Sequence, residues 1–119
     1  EDELKSGMVL GPFFMFRKSI LEKCKAFDEQ LVSGADYDLA IRLAYNGKGM
    51  HIPHNSGYYL NEGMGASTRP NSKQPLERTV IEMRYGIPVI EPHLENAARE
   101  YDIENIHIDG EKIPALNLK

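Results

Sequence analysis

Apolar residues in this chain fall into short blocks separated by polar turns, and their spacing changes from block to block. Residues 8 to 16, Met-Val-Leu-Gly-Pro-Phe-Phe-Met-Phe, are apolar with no alternation, which predicts a strand buried on both faces. Pro12 has no N–H to donate, so a bend or a sheet edge is expected there. Ser19 and Glu22 stand in capping-box spacing and open a short helix to about residue 25. Phe27-Asp28-Glu29 follows as a loop. Ser33 and Asp36 repeat the capping-box spacing before a second helix at about 35–46, with Leu39, Ala40 and Leu43 on its apolar face. Gly47 is its stop.

Residues 49–60 read as one or two strands. Residues 61–75 carry Gly63, Gly65, Ser67, Thr68, Pro70, Asn71, Ser72 and Pro75. That composition marks a loop, and a loop so long inside a small domain is usually functional or disordered. A third helix runs from about 76 to 85, started by Pro75 or Leu76 and stopped by Gly86, with Pro88 beyond. A fourth follows Pro92, with Leu94, Ala97, Ala98 and Tyr101 on one face. Residues 106–113 alternate around Asp109-Gly110, a hairpin signal.

Composition narrows the class. Of 119 residues, 41% are hydrophobic, enough for one modest core and too many for a disordered segment. The 14 basic and 18 acidic side chains leave a net charge of -4. With no basic block, nucleic acid is excluded as the expected partner. Nothing approaches the run of about 18 apolar residues that a membrane span needs. The start, Glu1-Asp2-Glu3, has neither an initiator Met nor a signal-peptide pattern, and part of a longer chain is expected. The single Cys24 forms no internal disulfide and suits a reducing compartment.

The informative block lies between residues 11 and 47. It reads Gly11-Pro-Phe-Phe-Met-Phe-Arg17-Lys18-Ser19, then Phe27-Asp28-Glu29, then Gly34-Ala-Asp36-Tyr37-Asp38-Leu39, then Arg42-Leu43 and Gly47. In this order and at these spacings it resembles the second half of the catalytic domain of family 2 inverting glycosyltransferases of the A-type fold. The resemblance covers residues 8 to 84, and its specificity lies in the ordered set, not in any one element. Two positions depart from the family pattern. Ala35 stands where Glu is common, and Lys25-Ala26 stand where the preceding helix commonly ends in Gly.

The resemblance implies an α/β fold: the C-terminal half of the A-type catalytic domain, a mixed sheet with flanking helices, over residues 1–86. A tail of helix and β-hairpin, residues 87–119, follows. It implies that Asp36 is the general base that deprotonates the acceptor hydroxyl, and that Gly11, Pro12 and Arg69 contact substrate. It also implies a nucleotide-sugar donor and a glycan or lipid-linked acceptor. A divalent metal, Mg or Mn, is expected in the full-length enzyme, its main ligands in a nucleotide-binding half outside this chain, so these residues alone should not turn over. The implied location is the cytoplasm, or the inner face of a membrane as a peripheral protein. An unpaired strand at residues 8–16 implies self-association of the isolated piece.

The residues allow blander assignments too. Asp36 also fits a capping acid paired with Ser33 and favoured by the helix N-terminus. Asp38 is about 200° around the helix from Asp36, so the two cannot share a metal or act as a pair. Four residues before Arg42, it reads as half of an exposed structural ion pair. Pro53 keeps His51 and His54 from forming a helical metal pair. Arg69 fits a diphosphate or a solvated loop, and Phe13, Phe14 and Phe16 fit a core. Two rival classes follow, a non-catalytic interaction domain with the long loop as its binding surface and a metal-dependent hydrolase using Asp36, Asp38 and His54. The helical geometry of the two aspartates argues against the hydrolase.

Overall fold

A computed structural model describes residues 10, 13–88 and 93–115. Its elements are α1 (Lys18–Cys24), α2 (Ala35–Asn46), α3 (Gln74–Tyr85), α4 (Leu94–Glu100), β1 (Asn105–Ile108) and β2 (Glu111–Pro114). α1 packs on α2, α4 packs on α3, and the two strands form an antiparallel hairpin. The core joins α2 to α3 through Tyr37, Ala40, Ile41, Val80, Ile81 and Tyr85, with Leu31, Ile87 and Ala97 completing it.

The helix ends follow local chemistry in some places and distant partners in others. At the end of α3, Gly86 is left-handed (φ 65°), its N–H reaches the Met83 carbonyl, and the Ile87 N–H reaches Glu82 O at 2.8 Å. That is a Schellman stop, with Ile87 buried beyond it. The hairpin turn has positive φ at both Asp109 (52°) and Gly110 (75°), the two-residue geometry that matches strand twist. Ile106 and Ile108 point inward from it.

The capping boxes do not form. The N-cap positions are Arg17 and Gly34, and neither has a side-chain cap bond. Ser19 lies inside α1, and the amide of Ser33 is taken by Glu77 of α3 instead. α2 is also buried more fully than one apolar stripe allows. Every residue from Tyr37 to Arg42 is buried, because α1 and α3 cover different sides of it.

The expected strand over residues 49–60 is absent; these residues are exposed and without regular structure. Residues 13–16 form no strand either, while residues 8, 9, 11 and 12 lie outside the described residues. The reading of Phe13 and Phe16 as core is corrected with them, since both are exposed. A strand needs hydrogen-bonded neighbours, and the described residues supply only the hairpin. No helix among the described residues is long and apolar enough to cross a membrane.

Four buried charges hold the centre. Asp38 Oδ2 accepts from Arg42 Nε (2.9 Å) and Nη2 (2.7 Å), and its Oδ1 accepts from Arg84 Nη1 (2.9 Å) and Tyr85 Oη (2.6 Å). Arg84 Nη1 also reaches Asp28 Oδ2 at 2.8 Å. Its Nη2 donates to the carbonyls of Asp102 and Asn105, so the turn after α4 is tied to the same site. Burial works against the Arg84 charge, but Asp38, Tyr85 and Asp28 outweigh it and leave the guanidinium more firmly protonated than usual. Burial, and then the Asp38 charge, push the Tyr85 phenol far above its ordinary value.

The same tie extends into the hairpin. Asp28 Oδ1 accepts the His107 N–H at 3.0 Å, and the His107 ring lies 3.0 Å from Asp102. That ring contact, aided by Asn105 and Lys112 against the effect of burial, holds the Asp102 carboxyl well below the usual carboxylate range.

Asp38 is therefore structural, but the exposed ion pair expected from its spacing is corrected to a buried one with 0% exposure. Asp38→Asn leaves two buried guanidiniums short of a charge, a change that costs roughly 3–5 kcal/mol. Urea denaturation of the purified variant measures it. A loss of a few tenths of a kcal/mol, as for an exposed pair, would contradict the buried network.

Arg42 also fixes the end of α1. It donates to the carbonyls of Cys24 and Ala26, the residues on either side of Lys25. Lys25 has φ 64° and ψ 179°, a region occupied almost only by glycine. Lys25→Gly should relieve that conformation and stabilise the chain by about 1 kcal/mol. A thermal midpoint equal to or below that of the parent chain would show that Lys25 is unstrained.

Candidate functional site

The candidate site forms where the first turn of α2 meets α3 and the loop after residue 60. Gly34 is the N-cap of α2 and lies directly on α3. A Cβ there would come within 3.1 Å of Ile81 Cδ1 and 3.2 Å of Glu77 Cβ, so a larger residue would crowd α3 and its neighbours would have to give by a few tenths of an ångström. The close approach lets Glu77, fully buried, reach three successive amides. Its carboxylate accepts from Val32 N at 2.8 Å, Ser33 N at 2.6 Å and Gly34 N at 2.6 Å. Tyr101 Oη donates to it at 3.1 Å, and burial together with the Glu77 charge raises the Tyr101 phenol well above its ordinary value.

Glu77 thus supplies the negative charge that the start of a helix favours, from 43 residues further along the chain. It fixes the backbone just ahead of Asp36. The Asp36 side chain is exposed, and its Oδ1 accepts the N–H of Tyr37 at 2.8 Å. Asp36 and Asp38 occupy opposite environments, the one at the surface and the other at the centre of the ion network.

Two clefts meet at Asp36. One, of about 180 Å³, is lined by Ser33, Gly34, Asp36, Tyr37, Ser67, Gln74, Arg78 and Ile81. The other, of about 410 Å³, is lined by Phe27, Val32, Ser33, Ala35, Asp36, Tyr59, Ala66 and Ser67. Ser33 Oγ donates to the Ala66 carbonyl at 3.4 Å and Ser72 Oγ to the same carbonyl at 2.6 Å. The first bond links the 61–72 loop to the residue just ahead of α2, and the second closes the loop on itself.

Of the other expected site residues, those that are described do not line the clefts at Asp36. Arg69 is exposed; its backbone N–H closes a turn onto Gly65 O at 2.9 Å, and it lines neither cleft. Gly11 and Pro12 lie outside the described residues. His51 and His54 are both exposed in the segment without regular structure. Among the described residues no group of three or more His, Cys, Asp or Glu side chains could hold a metal ion.

Arg78 is the cationic residue of the smaller cleft. It pairs with Glu82 at 2.9 Å, an i,i+4 spacing that is visible in the sequence. Glu77 was visible only as an acid in the first turn of α3. Nothing in its neighbourhood indicated three amides of a distant loop.

Comparison of the chain with protein-family models, with curated proteins and with solved structures found no match in any of the three.

Glu77→Gln preserves shape but removes a charge that three amides share. It should destabilise the fold by about 1–3 kcal/mol and speed amide exchange at Val32, Ser33 and Gly34 ahead of the α3 amides. Unchanged exchange at those three positions would show that the carboxylate does not hold them.

Proposed function

We propose that this chain is the acceptor-side part of an inverting glycosyltransferase that uses a nucleotide-sugar donor, with Asp36 as the general base. One observation carries the reading. Of the two aspartates in the Asp36-Tyr37-Asp38 motif, only Asp36 lies at an open cleft, while Asp38 is committed to buried guanidiniums. The resemblance over residues 8–84 supplies the reaction class, and the cleft supplies room for an acceptor beside the carboxylate.

In this reading an acceptor hydroxyl sits within hydrogen-bond reach of Asp36. The carboxylate takes its proton as the oxygen attacks C1 of the donor sugar, which an unaided alcohol does poorly at neutral pH. The C1–oxygen bond to the nucleotide diphosphate breaks on the opposite face, so the configuration inverts. Asp36 is carried by the first turn of a helix anchored through Glu77 and Asp38, a rigid mounting of the kind a base requires.

Among the described residues no cluster of side chains fits the divalent metal, Mg or Mn, that the resemblance implies. The reading assigns its ligands to residues outside this chain. The donor would be held there too. The acceptor, glycan or lipid-linked, would meet Asp36 from this side.

A second reading has support of its own. Met15, Met50, Tyr58, Leu60 and Met64 are largely exposed, apolar side chains that a partner could cover. A non-catalytic interaction domain, or self-association of this piece, would use that surface.

The experiment that separates the two readings is Asp36→Asn in the longer enzyme. Turnover should fall by at least about 100-fold, the usual scale for a lost acid–base group, with donor binding retained. Asn keeps the size of the side chain and its bond to the Tyr37 amide but cannot take the proton. Near-normal turnover would return Asp36 to a structural role.

A further inference from the structure

The larger cleft has a composition that neither the motif nor the base assignment requires. Two aromatic side chains line it, Phe27 at 49% exposure and Tyr59 at 66%. Single exposed aromatics are ordinary, but these two come from segments 32 residues apart in sequence, and both meet the cleft that contains Asp36. Ser33 and Ser67 add polar residues to the same lining, and Val32 adds an apolar one. The remaining lining residues are alanines, so Asp36 is the only charged group in the lining.

That combination suits one kind of small molecule. A pyranose ring has C–H faces that are apolar and slightly electropositive, and hydroxyl edges that donate and accept hydrogen bonds. The faces fit against the electron-rich faces of aromatic rings, and the edges need hydroxyl and carboxylate partners, which the lining contains. A volume of about 410 Å³ lies within the range of small-molecule sites, about 300–1,000 Å³. The charge balance selects further. A carboxylate with no cation in the same lining disfavours an anionic ligand there.

We infer that this cleft is an acceptor subsite for a neutral pyranose ring, with Phe27 and Tyr59 as its apolar walls and Ser33, Ser67 and Asp36 as its polar partners. The inference rests on the proposed glycosyltransferase reading for the word acceptor, but ring binding itself does not depend on catalysis. It also narrows the substrate class. A ring-shaped neutral sugar should be preferred to a uronic acid, to a phosphorylated sugar and to an acyclic polyol.

Nitrogen-15 NMR titration of the 119-residue protein tests it, with methyl β-D-glucopyranoside and methyl β-D-galactopyranoside as probes. At least one should give saturable shifts at the amides of Val32, Ser33 and Ser67, with the α3 amides unmoved. Phe27→Ala and Tyr59→Ala should each weaken binding by about three- to tenfold, the scale of one aromatic contact, while Tyr59→Phe retains it. Both positions are exposed, and unchanged α3 resonances would verify the fold of each variant. Methyl β-D-glucuronide and sorbitol should bind more weakly than the better glycoside. No saturable shift with either glycoside, equal binding of sorbitol, or unaltered affinity in both alanine variants would each overturn the subsite. The Asp36→Asn enzyme keeps the two ideas apart. Glycoside binding to the unaltered protein with normal turnover in that variant leaves the subsite and removes the base, while lost turnover in the variant with no glycoside binding to the unaltered protein does the reverse.

Discussion

The structure depends on a buried exchange of charge between two carboxylates and two guanidiniums. Asp38 lies between Arg42 of its own helix and Arg84 of α3, and Arg84 continues to Asp28. Taking four charges out of water is costly, and the cost is met only if each finds its partners. Here Asp38 fills both oxygens, Arg42 spends its remaining N–H groups on the carbonyls around Lys25, and Arg84 reaches the turn after α4. Within the network, Arg84 Nε has no hydrogen-bond partner among the described residues. The network therefore gives up some stability while it fixes which segments meet: α1, α2, α3 and the hairpin all converge on it.

That constraint also orients the candidate site. A residue two positions before Asp38 lies about 200° around the helix. With Asp38 locked inward, Asp36 has to face out, and it faces the clefts. Glu77 adds a second constraint from the same helix as Arg84, by holding the three amides that lead into α2. One helix, α3, thus sets both the rotation of α2 about its axis and the position of its start. The loops that complete the cleft are held differently. Phe27 is next to the buried Asp28, whereas Tyr59 and Ser67 belong to an exposed stretch linked to the start of α2 through the Ser33–Ala66 hydrogen bond. The cleft combines a rigid wall carrying the carboxylate with a wall of low local stability, the arrangement in which a site can close on a ligand.

Much of the architecture was legible from local pattern. The four helices appear within two or three residues of their expected bounds, Gly86 stops α3, and Asp109-Gly110 turns the hairpin. Each of these rests on chemistry within a few residues: apolar period, proline at a start, glycine at positive φ. The opposite orientation of Asp36 and Asp38 was legible for the same reason, because helix geometry alone dictates it. Elements that need a partner from elsewhere were misread. The apolar runs at 13–16 and 49–60 have strand composition, but a strand exists only where another backbone pairs with it, and among the described residues none does. The serines of the two capping boxes had the right spacing, yet for α2 a glutamate from another helix took the amide.

By itself, the sequence determined the helices, the hairpin and the Asp36–Asp38 divergence. Only the tertiary structure decided that Asp38 is buried among arginines, that Glu77 holds the start of α2, that Arg69 stays away from Asp36, and that Phe27 and Tyr59 share its cleft. The division has a physical cause. Helix periodicity and turn conformation are set by steric and hydrogen-bond terms within about four residues, and every sequence displays them locally. The partner of a buried charge, or the wall facing an aromatic ring, is chosen by packing across dozens of residues, where a single sequence carries no record of the distance.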